Sequence, residues 1–305
     1  MSERMDQNDQ KDQSDQKDQK NQKDQKDQKD QMDRPIGVFD SGIGGLTVVR
    51  QLMAHLPREH ILYFGDSARV PYGTKSPETV TRFSIENARF LVRREVKFIV
   101  VACNTASALA LPVLQRRFEL PMIGVIEPGA RAALQVTHNR RIGVIGTLGT
   151  IASGAYERLI LSLDAACTVV EVPCPLFVPL AEEGWTDGPV VEQVARIYLQ
   201  PLLDTGIDTL ILGCTHYPLL KDVIARVAGP SVTLVDTAEE TVRAVRERLE
   251  MLGLRRNDED AGEGERRFFV SDIPAQFSQV GGRFLGMPIM QVEWVDQSDL
   301  PWFER

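Results

Sequence analysis

From residue 36 onward, short apolar runs alternate with longer amphipathic stretches. The runs are rich in Val, Ile and Leu and four to five residues long, which predicts strands buried on both faces, and the stretches between them show helical periodicity. This alternation is typical of parallel sheets covered by helices on both sides, so the sequence predicts an α/β fold. The predicted strands are Ile36–Phe39, Ile61–Phe64, Phe98–Ala102, Met122–Ile126, Arg141–Ile145, Thr168–Val172, Thr209–Leu212, Val232–Val235 and Arg267–Val270, and the predicted helices include Leu46–His55, Pro77–Glu95, Ile151–Leu163 and Pro189–Leu203.

Small, polar or reactive residues follow five of these strands. In open parallel sheets, ligands bind in the crevice beyond the carboxyl ends of the strands. These turns are therefore the first place to expect a site. They read DSGIGG (40–45), GDSARVPYG (65–73), CNT (103–105), GTLGT (146–150) and GCTHYP (213–218).

The chain also shows an internal repeat. IGVFDSGIGGLT (36–47) resembles IGVIGTLGTIAS (142–153), and VVACNTASA (100–108) resembles LILGCTHYP (210–218). Two related halves that face each other across a cleft would bring Cys103 and Cys214 to opposite sides of one pocket. The residues alone leave two interpretations open: two unrelated structural cysteines, or two halves of one site.

The first 31 residues have a different composition. They are almost entirely Asp, Gln and Lys, with DQK recurring and with no aromatic or β-branched residue, so this tail is predicted to be disordered. Met32 directly precedes the first globular sequence. We therefore expect the tail to be an upstream extension or the result of a misplaced start codon, without a catalytic role.

Charge and cysteine usage exclude several classes of protein. The formal net charge of −8 argues against a nucleic-acid partner, and no apolar run approaches the roughly 18 residues of a membrane span. A secretory signal is also absent from the sequence, so we expect a cytoplasmic location and no disulfides. The four cysteines contain no C-x-x-C and no histidine pair has metal spacing, so no metal site is expected. Cys167 and Cys174 are predicted to be structural.

Two facing thiols suit one kind of chemistry. A cysteine has a reference pKa of about 8.5, so either protonation state is available near neutrality. Two such groups on opposite sides of one carbon can remove a proton from one face and return it to the other, which inverts a stereocentre. Asp40 and His216 stand at neighbouring strand ends and are predicted to hold or tune the thiols. Uncharged hydrogen bonds for the carboxylates of an amino acid would come from Ser41, Asn104, Thr105, Thr147, Thr150 and Thr215. Neither a lysine motif for pyridoxal phosphate nor a G-x-G-x-x-G turn is found, so no cofactor is expected.

The ordered motifs DSGIGGLTV, GDSARVPYG, ACNTASA, GTLGTIASGAY, CPLFVPLAEEG, GCTHYPLL and FFVSD resemble the glutamate racemases of the aspartate/glutamate racemase superfamily. The resemblance runs from about Pro35 to the C-terminus. It implies a cofactor-independent isomerase that interconverts L- and D-glutamate and supplies D-glutamate for peptidoglycan. It implies Cys103 and Cys214 as catalytic acid/base residues and Asp40, Glu182 and His216 as assisting groups, although Glu183 follows Glu182 directly. The implied substrate pocket comprises Asp40, Ser41, Tyr72, Gly73, Asn104, Thr105, Thr215 and His216.

The resemblance also implies an arrangement of domains. Residues 1–33 would be the tail, 34–127 with 236–305 a discontinuous first domain and 128–235 the second, with the site between them, usually in a homodimer. The alternative activity is a related two-thiol racemase acting on aspartate or a hydantoin. Some members are said to restrain DNA gyrase, and the tail is the segment that such a contact would use, but charge repeats of this kind are usually solvated. The tail resembles no activator-binding extension.

Overall fold

The predicted strands assemble into two separate parallel sheets. The computed structural model describes residues 28–256 and 262–296, and these contain ten strands: β1 (Ile36–Asp40), β2 (Ile61–Gly65), β3 (Phe98–Val101), β4 (Met122–Gly124), β5 (Arg141–Gly146), β6 (Thr168–Pro173), β7 (Thr209–Gly213), β8 (Thr233–Asp236), β9 (Arg266–Val270) and β10 (Glu293–Trp294). The first sheet has the order β10-β9-β2-β1-β3-β4 and the second β6-β5-β7-β8. Every pairing is parallel, which confirms the predicted α/β fold class.

Helices cover both faces of each sheet. Within the described ranges, and apart from the helical residues 28–33 near the N-terminus, they are α1 (Leu46–His55), α2 (Pro77–Val92), α3 (Asn104–Leu109), α4 (Leu111–Arg117), α5 (Ile126–Val136), α6 (Leu148–Ala152), α7 (Ala155–Leu163), α8 (Phe177–Glu183), α9 (Pro189–Leu203), α10 (Lys221–Ala228), α11 (Thr237–Met251) and α12 (Pro274–Leu285). Short 3-10 turns occur at Ser67–Arg69, Tyr72–Thr74 and Tyr217–Leu220. None of these helices is both long and apolar enough to cross a membrane.

The two sheets repeat one topology. The strand order β2-β1-β3-β4 in the first sheet corresponds to β6-β5-β7-β8 in the second, so β1 matches β5 and β3 matches β7. These are the pairs that the internal sequence repeat relates. The late strands β9 and β10 extend the first sheet beyond β2, so the chain returns to its first half after completing the second. The domain boundaries at 127/128 and 235/236 stay a prediction.

Two elements differ from the sequence prediction. The apolar run Met122–Ile126 is a strand only to Gly124, because the next amide, that of Val125, donates to Ser107 Oγ instead of to a neighbouring strand. Helix α5 then begins at Ile126. The predicted helix Ile151–Leu163 is two helices, since Gly154 has a φ of +57°, a left-handed conformation that interrupts a right-handed helix and that glycine adopts most easily.

The end of the charged tail is ordered, contrary to the predicted disorder of residues 1–33. Residues 28–33 are helical. Lys97 Nζ donates to the Met32 carbonyl at 2.5 Å and lies 2.5 Å from Glu59 Oε2, while Arg256 Nε contacts Asp33 Oδ1 at 2.9 Å. These tertiary contacts hold a segment whose composition alone offers too little apolar surface to fold. The rest of that prediction, for residues 1–27, lies outside the described residues.

Candidate active site

The site lies where both sheets reverse their strand order. The reversal falls between β1 and β3 in the first sheet and between β5 and β7 in the second, and ligands of open α/β sheets bind beyond the strand ends at such points. Ser41, Cys103, Thr147 and Cys214 follow these four strands and line one cavity of about 50 Å³. The two cysteines therefore come from different halves of the chain to one space, as the repeat predicts.

The cavity collects nearly all of the predicted site residues. Asp40 and Thr150 are the exceptions: both are fully buried behind the wall rather than in it. The predicted residues in the wall are Ser41, Tyr72, Gly73, Cys103, Asn104, Thr105, Thr147, Glu182, Cys214, Thr215 and His216. Sequence reasoning missed five others, namely Gly42, Ile43, Val70, Pro71 and Val178. The sequence did contain a signal that could have identified these five residues, because each lies within a strand-end turn or within the CPLFVPL segment.

Cys103 is a buried thiol at the start of helix α3. Its side chain is the N-cap, and its sulfur accepts a hydrogen bond from the Ala106 amide at 3.5 Å. The thiol donates to Ser41 Oγ at 3.8 Å. Burial, with a smaller effect from the negative charge of Asp40, raises the pKa of Cys103 to about 12. Cys103 is therefore held as a neutral thiol in the free protein.

Cys214 belongs to a chain of three groups in the second half. Its sulfur lies 3.8 Å from His216 Nδ1, and His216 Nε2 lies 2.9 Å from Glu182 Oε1. Burial lowers the pKa of His216, but the hydrogen bonds with Cys214 and Glu182 outweigh burial and raise the pKa to about 10. His216 is therefore an imidazolium at neutral pH, and it faces the sulfur of Cys214 with one nitrogen and a carboxylate with the other. Glu182, and not its neighbour Glu183, makes this contact.

Asp40 is the buried carboxylate of the first half. Its Oδ1 accepts from the Gly42 amide at 3.0 Å, whereas Oδ2 has no hydrogen-bond partner among the described residues. Burial raises the pKa of Asp40, and the positive charge of His216 together with nearby backbone amides opposes that rise. A carboxylate oxygen without a partner in a buried position is costly. Oδ2 is therefore an acceptor available to a cationic group.

Tyr72 contributes its backbone turn, and its hydroxyl points away from the cavity. The hydroxyl is hydrogen-bonded to Asp66 and accepts from Asn87 Nδ2 at 3.0 Å, and the side chain is fully buried. The loop that carries it is also anchored by Arg69, whose Nε donates to Asp66 at 2.8 Å. The turn at Tyr72 and Gly73 is thus held from the first half against the cavity.

The two halves meet closely around the cavity. Thr105, Thr147 and Thr150 form a ring of three hydroxyl contacts between 2.8 and 3.1 Å, with Thr105 from one half and the other two from the other. A Cβ on Gly44 would lie 2.2 Å from Thr215 Oγ1 and 2.6 Å from the His216 ring, so glycine is required there by close approach. Contacts between the two halves thus bound the cavity that holds both thiols.

Helix α12 supports the His216 side of the site from the first half. Arg283 Nη1 donates to the Glu182 carbonyl at 2.8 Å. The Phe284 ring packs edge-on against the His216 ring, with centroids 5.1 Å apart and planes at 79°. The C-terminal return of the chain thus positions two groups of the second half. Among the described residues, no cluster of His, Cys, Asp or Glu is suited to hold a metal ion.

The charge on His216 should make the stability of the fold depend on pH. The pKa of His216 is higher in the folded chain, about 10, than the reference value of 6.5, so the folded state binds this proton more tightly. The resulting stabilisation is complete below pH 6.5 and is lost as the pH rises through about 10. We expect the free energy of unfolding of the wild type, relative to H216Q, to be largest near pH 6 and to decline steadily towards pH 10.

Urea unfolding followed by circular dichroism at several pH values measures this difference. H55Q, which removes an exposed histidine of α1, is the matched control, and its difference from the wild type should not show the same decline. A constant difference between wild type and H216Q from pH 6 to 10 would contradict the prediction.

Comparison with known proteins shows which family this chain resembles. Residues 45–245 match the model of the Asp/Glu/Hydantoin racemase family. The glutamate racemase of Geobacter metallireducens is 58% identical over 253 residues, which are 83% of this chain and 93% of that protein. Among solved structures, glutamate racemase of Francisella tularensis in complex with D-glutamate matches with a TM-score of 0.82 and 42% identity, covering 88% of this chain and 100% of that one. Glutamate racemase isoform RacE1 of Bacillus anthracis matches with a TM-score of 0.83 and 43% identity, covering 87% and 98%.

Proposed function

Because the chain belongs to the glutamate racemases of the Asp/Glu/Hydantoin racemase family, and is therefore an amino-acid racemase, we propose that it interconverts L- and D-glutamate with Cys103 and Cys214 as the two acid/base groups. The observation that carries the proposal is the convergence of these two thiols, from separate sheets, on one buried cavity. The complex of the Francisella relative with D-glutamate supports the choice of substrate.

The reaction moves one proton on and off the α-carbon. One cysteine, as thiolate, removes the α-hydrogen as a proton, and the electrons of the broken C–H bond remain on the α-carbon and its carboxylate. The other cysteine, as thiol, donates its proton to the opposite face, which forms the new C–H bond and inverts the centre. The two sulfurs exchange protonation states in each turnover, and the reverse reaction uses the same pair in exchanged roles. The two thiols supply both the base and the acid of this scheme, which therefore uses no cofactor.

His216 and Asp40 serve the two thiols in different ways. The His216 imidazolium, held by Glu182, offers a positive charge and a proton donor to the sulfur of Cys214. Asp40 lies behind the cavity wall in the free protein, and its unpartnered Oδ2 would receive the substrate ammonium once substrate displaces the wall residues in front of it. Burial and, to a smaller extent, the negative charge of Asp40 raise the pKa of Cys103; the substrate cation would offset that charge, so Cys103 would lose its proton more easily when substrate is present.

Neutral donors hold the substrate carboxylates. Ser41, Asn104, Thr105, Thr147 and Thr215 line the cavity, and the lining residues that the structure describes include neither lysine nor arginine. Hydroxyl and amide groups hydrogen-bond a carboxylate without placing a second fixed positive charge near the reacting carbon. Within a bacterial cell, the product D-glutamate would enter peptidoglycan synthesis in the cytoplasm. We also propose a homodimer, as the family resemblance implies.

The proposed activity is tested with both enantiomers and two amino acids. Purified protein in EDTA, without added pyridoxal phosphate, should bring either pure L- or pure D-glutamate to an equal mixture of enantiomers, as followed by polarimetry. Aspartate should react at least about tenfold more slowly, since one methylene in a fitted pocket is worth roughly 10- to 200-fold. The C103S/C214S double variant is the control. Faster turnover of aspartate, or an absolute need for pyridoxal phosphate or metal, would contradict the proposal.

A further inference from the structure

Asn104 presents one satisfied and one unsatisfied end of its side-chain amide. It is the first residue of α3, next to Cys103, and is 2% exposed in the wall of the cavity. Its Oδ1 accepts a hydrogen bond of 2.7 Å from the Tyr156 hydroxyl. Its Nδ2 is buried and has no partner among the described residues. An amide can rotate by half a turn at little steric cost, so its hydrogen bonds decide which end faces the cavity.

Tyr156 reaches Asn104 from the other half of the chain. It lies on α7, is completely buried, and packs against the strand that leads to Cys214, since a Cβ on Gly213 would lie 3.2 Å from its ring. Burial raises the pKa of Tyr156 well above its usual value, with smaller effects from Glu171 and Cys214, so the hydroxyl keeps its proton. A tyrosine hydroxyl can donate or accept. Among the described residues its hydrogen bond is with Asn104, so accepting from Nδ2 would leave its own buried proton without an acceptor, and the pairing with Oδ1 is favoured.

We propose that Tyr156 is a positioning residue: its hydroxyl holds Oδ1 of Asn104 so that Nδ2 faces the cavity as a hydrogen-bond donor to a substrate carboxylate. Without it, the amide turns freely, and in one of its two orientations Oδ1 would face the carboxylate and repel it. The inference rests on the proposed function, because it assigns a binding step within that same reaction. It adds a residue outside the cavity wall that sets affinity for either enantiomer.

The central comparison is Y156F against Y217F. Tyr217 is an equally buried tyrosine of the second half whose hydroxyl donates to the Cys174 carbonyl at 2.9 Å, so Y217F removes a similar hydrogen bond without touching Asn104. We expect Y156F to raise KM for both enantiomers about tenfold, with kcat within about threefold, because the contact is made equally in the substrate and the transition state. Y217F should change neither constant more than about threefold.

A double-mutant cycle tests whether Tyr156 acts through Asn104. In an N104A background, the further change Y156F should leave KM within about twofold, because the group that it positions is gone. N104D provides a separate check that leaves Tyr156 unchanged. It keeps an acceptor for the tyrosine but turns a carboxylate oxygen towards the cavity, so its KM should exceed that of N104A.

The outcomes separate the two ideas. If the wild type does not racemise glutamate, the proposed function fails. If the wild type is active, three results would each contradict the role of Tyr156. Y156F could leave KM as unchanged as Y217F does, or Y156F could raise KM as much in the N104A background as it does alone. The third is an N104D variant whose KM is no higher than that of N104A. Y156F alone leaves the buried Oδ1 of Asn104 without a donor and could therefore unfold below the assay temperature. In that case the KM values of N104A/Y156F and N104D test the role of Tyr156, because the double variant has no such oxygen.

Discussion

Replacing either cavity cysteine by serine should lower racemisation of glutamate by about 10²- to 10⁴-fold, the usual contribution of a positioned acid or base. A serine hydroxyl keeps nearly the size of the thiol but is a far weaker acid, so it neither forms the anion that removes the α-hydrogen nor returns a proton readily at neutral pH. The loss should appear in kcat for both directions. Each direction needs both groups, one as base and one as acid.

Exchange of the α-hydrogen in D₂O separates the two roles. A variant that retains only Cys214 should still exchange the α-hydrogen of the enantiomer that Cys214 deprotonates, because the deuteron can return to the same face. It should not exchange the other enantiomer. C103S and C214S should therefore keep exchange with opposite enantiomers, as NMR of each pure enantiomer would show.

Cys167 provides the matched control for these variants. It is a buried thiol outside the cavity, so C167S should racemise glutamate like the wild type. Full racemisation by both C103S and C214S would rule out the two-thiol mechanism. Loss of exchange with the same enantiomer in both variants would rule out the assignment of one thiol to each face.

The second large effect is expected from D40N, which removes a charge without changing shape. Removing one partner of a buried ion pair costs about 3–5 kcal/mol, which is roughly 200- to 5,000-fold in an equilibrium constant. If Asp40 Oδ2 receives the substrate ammonium, kcat/KM should fall by about that factor in both directions, mainly through KM. Steady-state kinetics with each enantiomer measures it.

The same substitution should have the opposite effect on a thiol. The charge of Asp40 contributes, after burial, to the raised pKa of Cys103. Removing it should lower that pKa and speed alkylation by iodoacetamide at pH 8–9, because the thiolate is the reactive form. The comparison of C167S/C174S/C214S/D40N with C167S/C174S/C214S isolates Cys103, since the chain has four cysteines.

Asp236 offers a close control for D40N. It is a buried aspartate at the end of β8, and its Oδ1 accepts from the Ala238 amide at 2.9 Å, much as Asp40 accepts from Gly42. Asparagine is as good a helix cap as aspartate, so D236N should keep both activity and thiol reactivity near those of the wild type. Equal kinetic losses in D40N and D236N would show a general effect of buried charge instead of a contact with substrate.

Much of the site could be predicted from the sequence because its residues follow strand ends. Continuous apolar runs predict buried parallel strands, and parallel strands present their carboxyl ends at one edge. The repeat made a shared cleft for Cys103 and Cys214 one of two open interpretations, and the resemblance to the glutamate racemases favoured it. The repeat of strand order in the two sheets has the same local origin, since each half carries the same succession of strand, turn and helix.

Contacts between segments that are distant in the sequence could not be predicted in this way. Tyr72 was predicted to contact substrate through the Tyr-Gly turn, but the sequence did not show that its hydroxyl is hydrogen-bonded to Asp66 and Asn87 in the core of the first half. Residues 28–33 are helical, although their composition predicts disorder, because Lys97 and Arg256 hold them. In each case the hydrogen-bond partner depends on how distant segments pack, and no hydrophobic periodicity or motif in the sequence predicts that packing.

The sequence by itself determined the parallel α/β architecture, the strand-end turns and the two cysteines, because hydrophobic periodicity and turn composition are local properties of the chain. Only the tertiary structure decided that Glu182 rather than Glu183 contacts His216, that Phe284 and Arg283 return from the C-terminal segment to support them, and that the Tyr156 hydroxyl donates to Asn104. Those choices depend on how two sheets pack across a cleft. There a side chain meets partners 34 to more than 100 positions away in the chain.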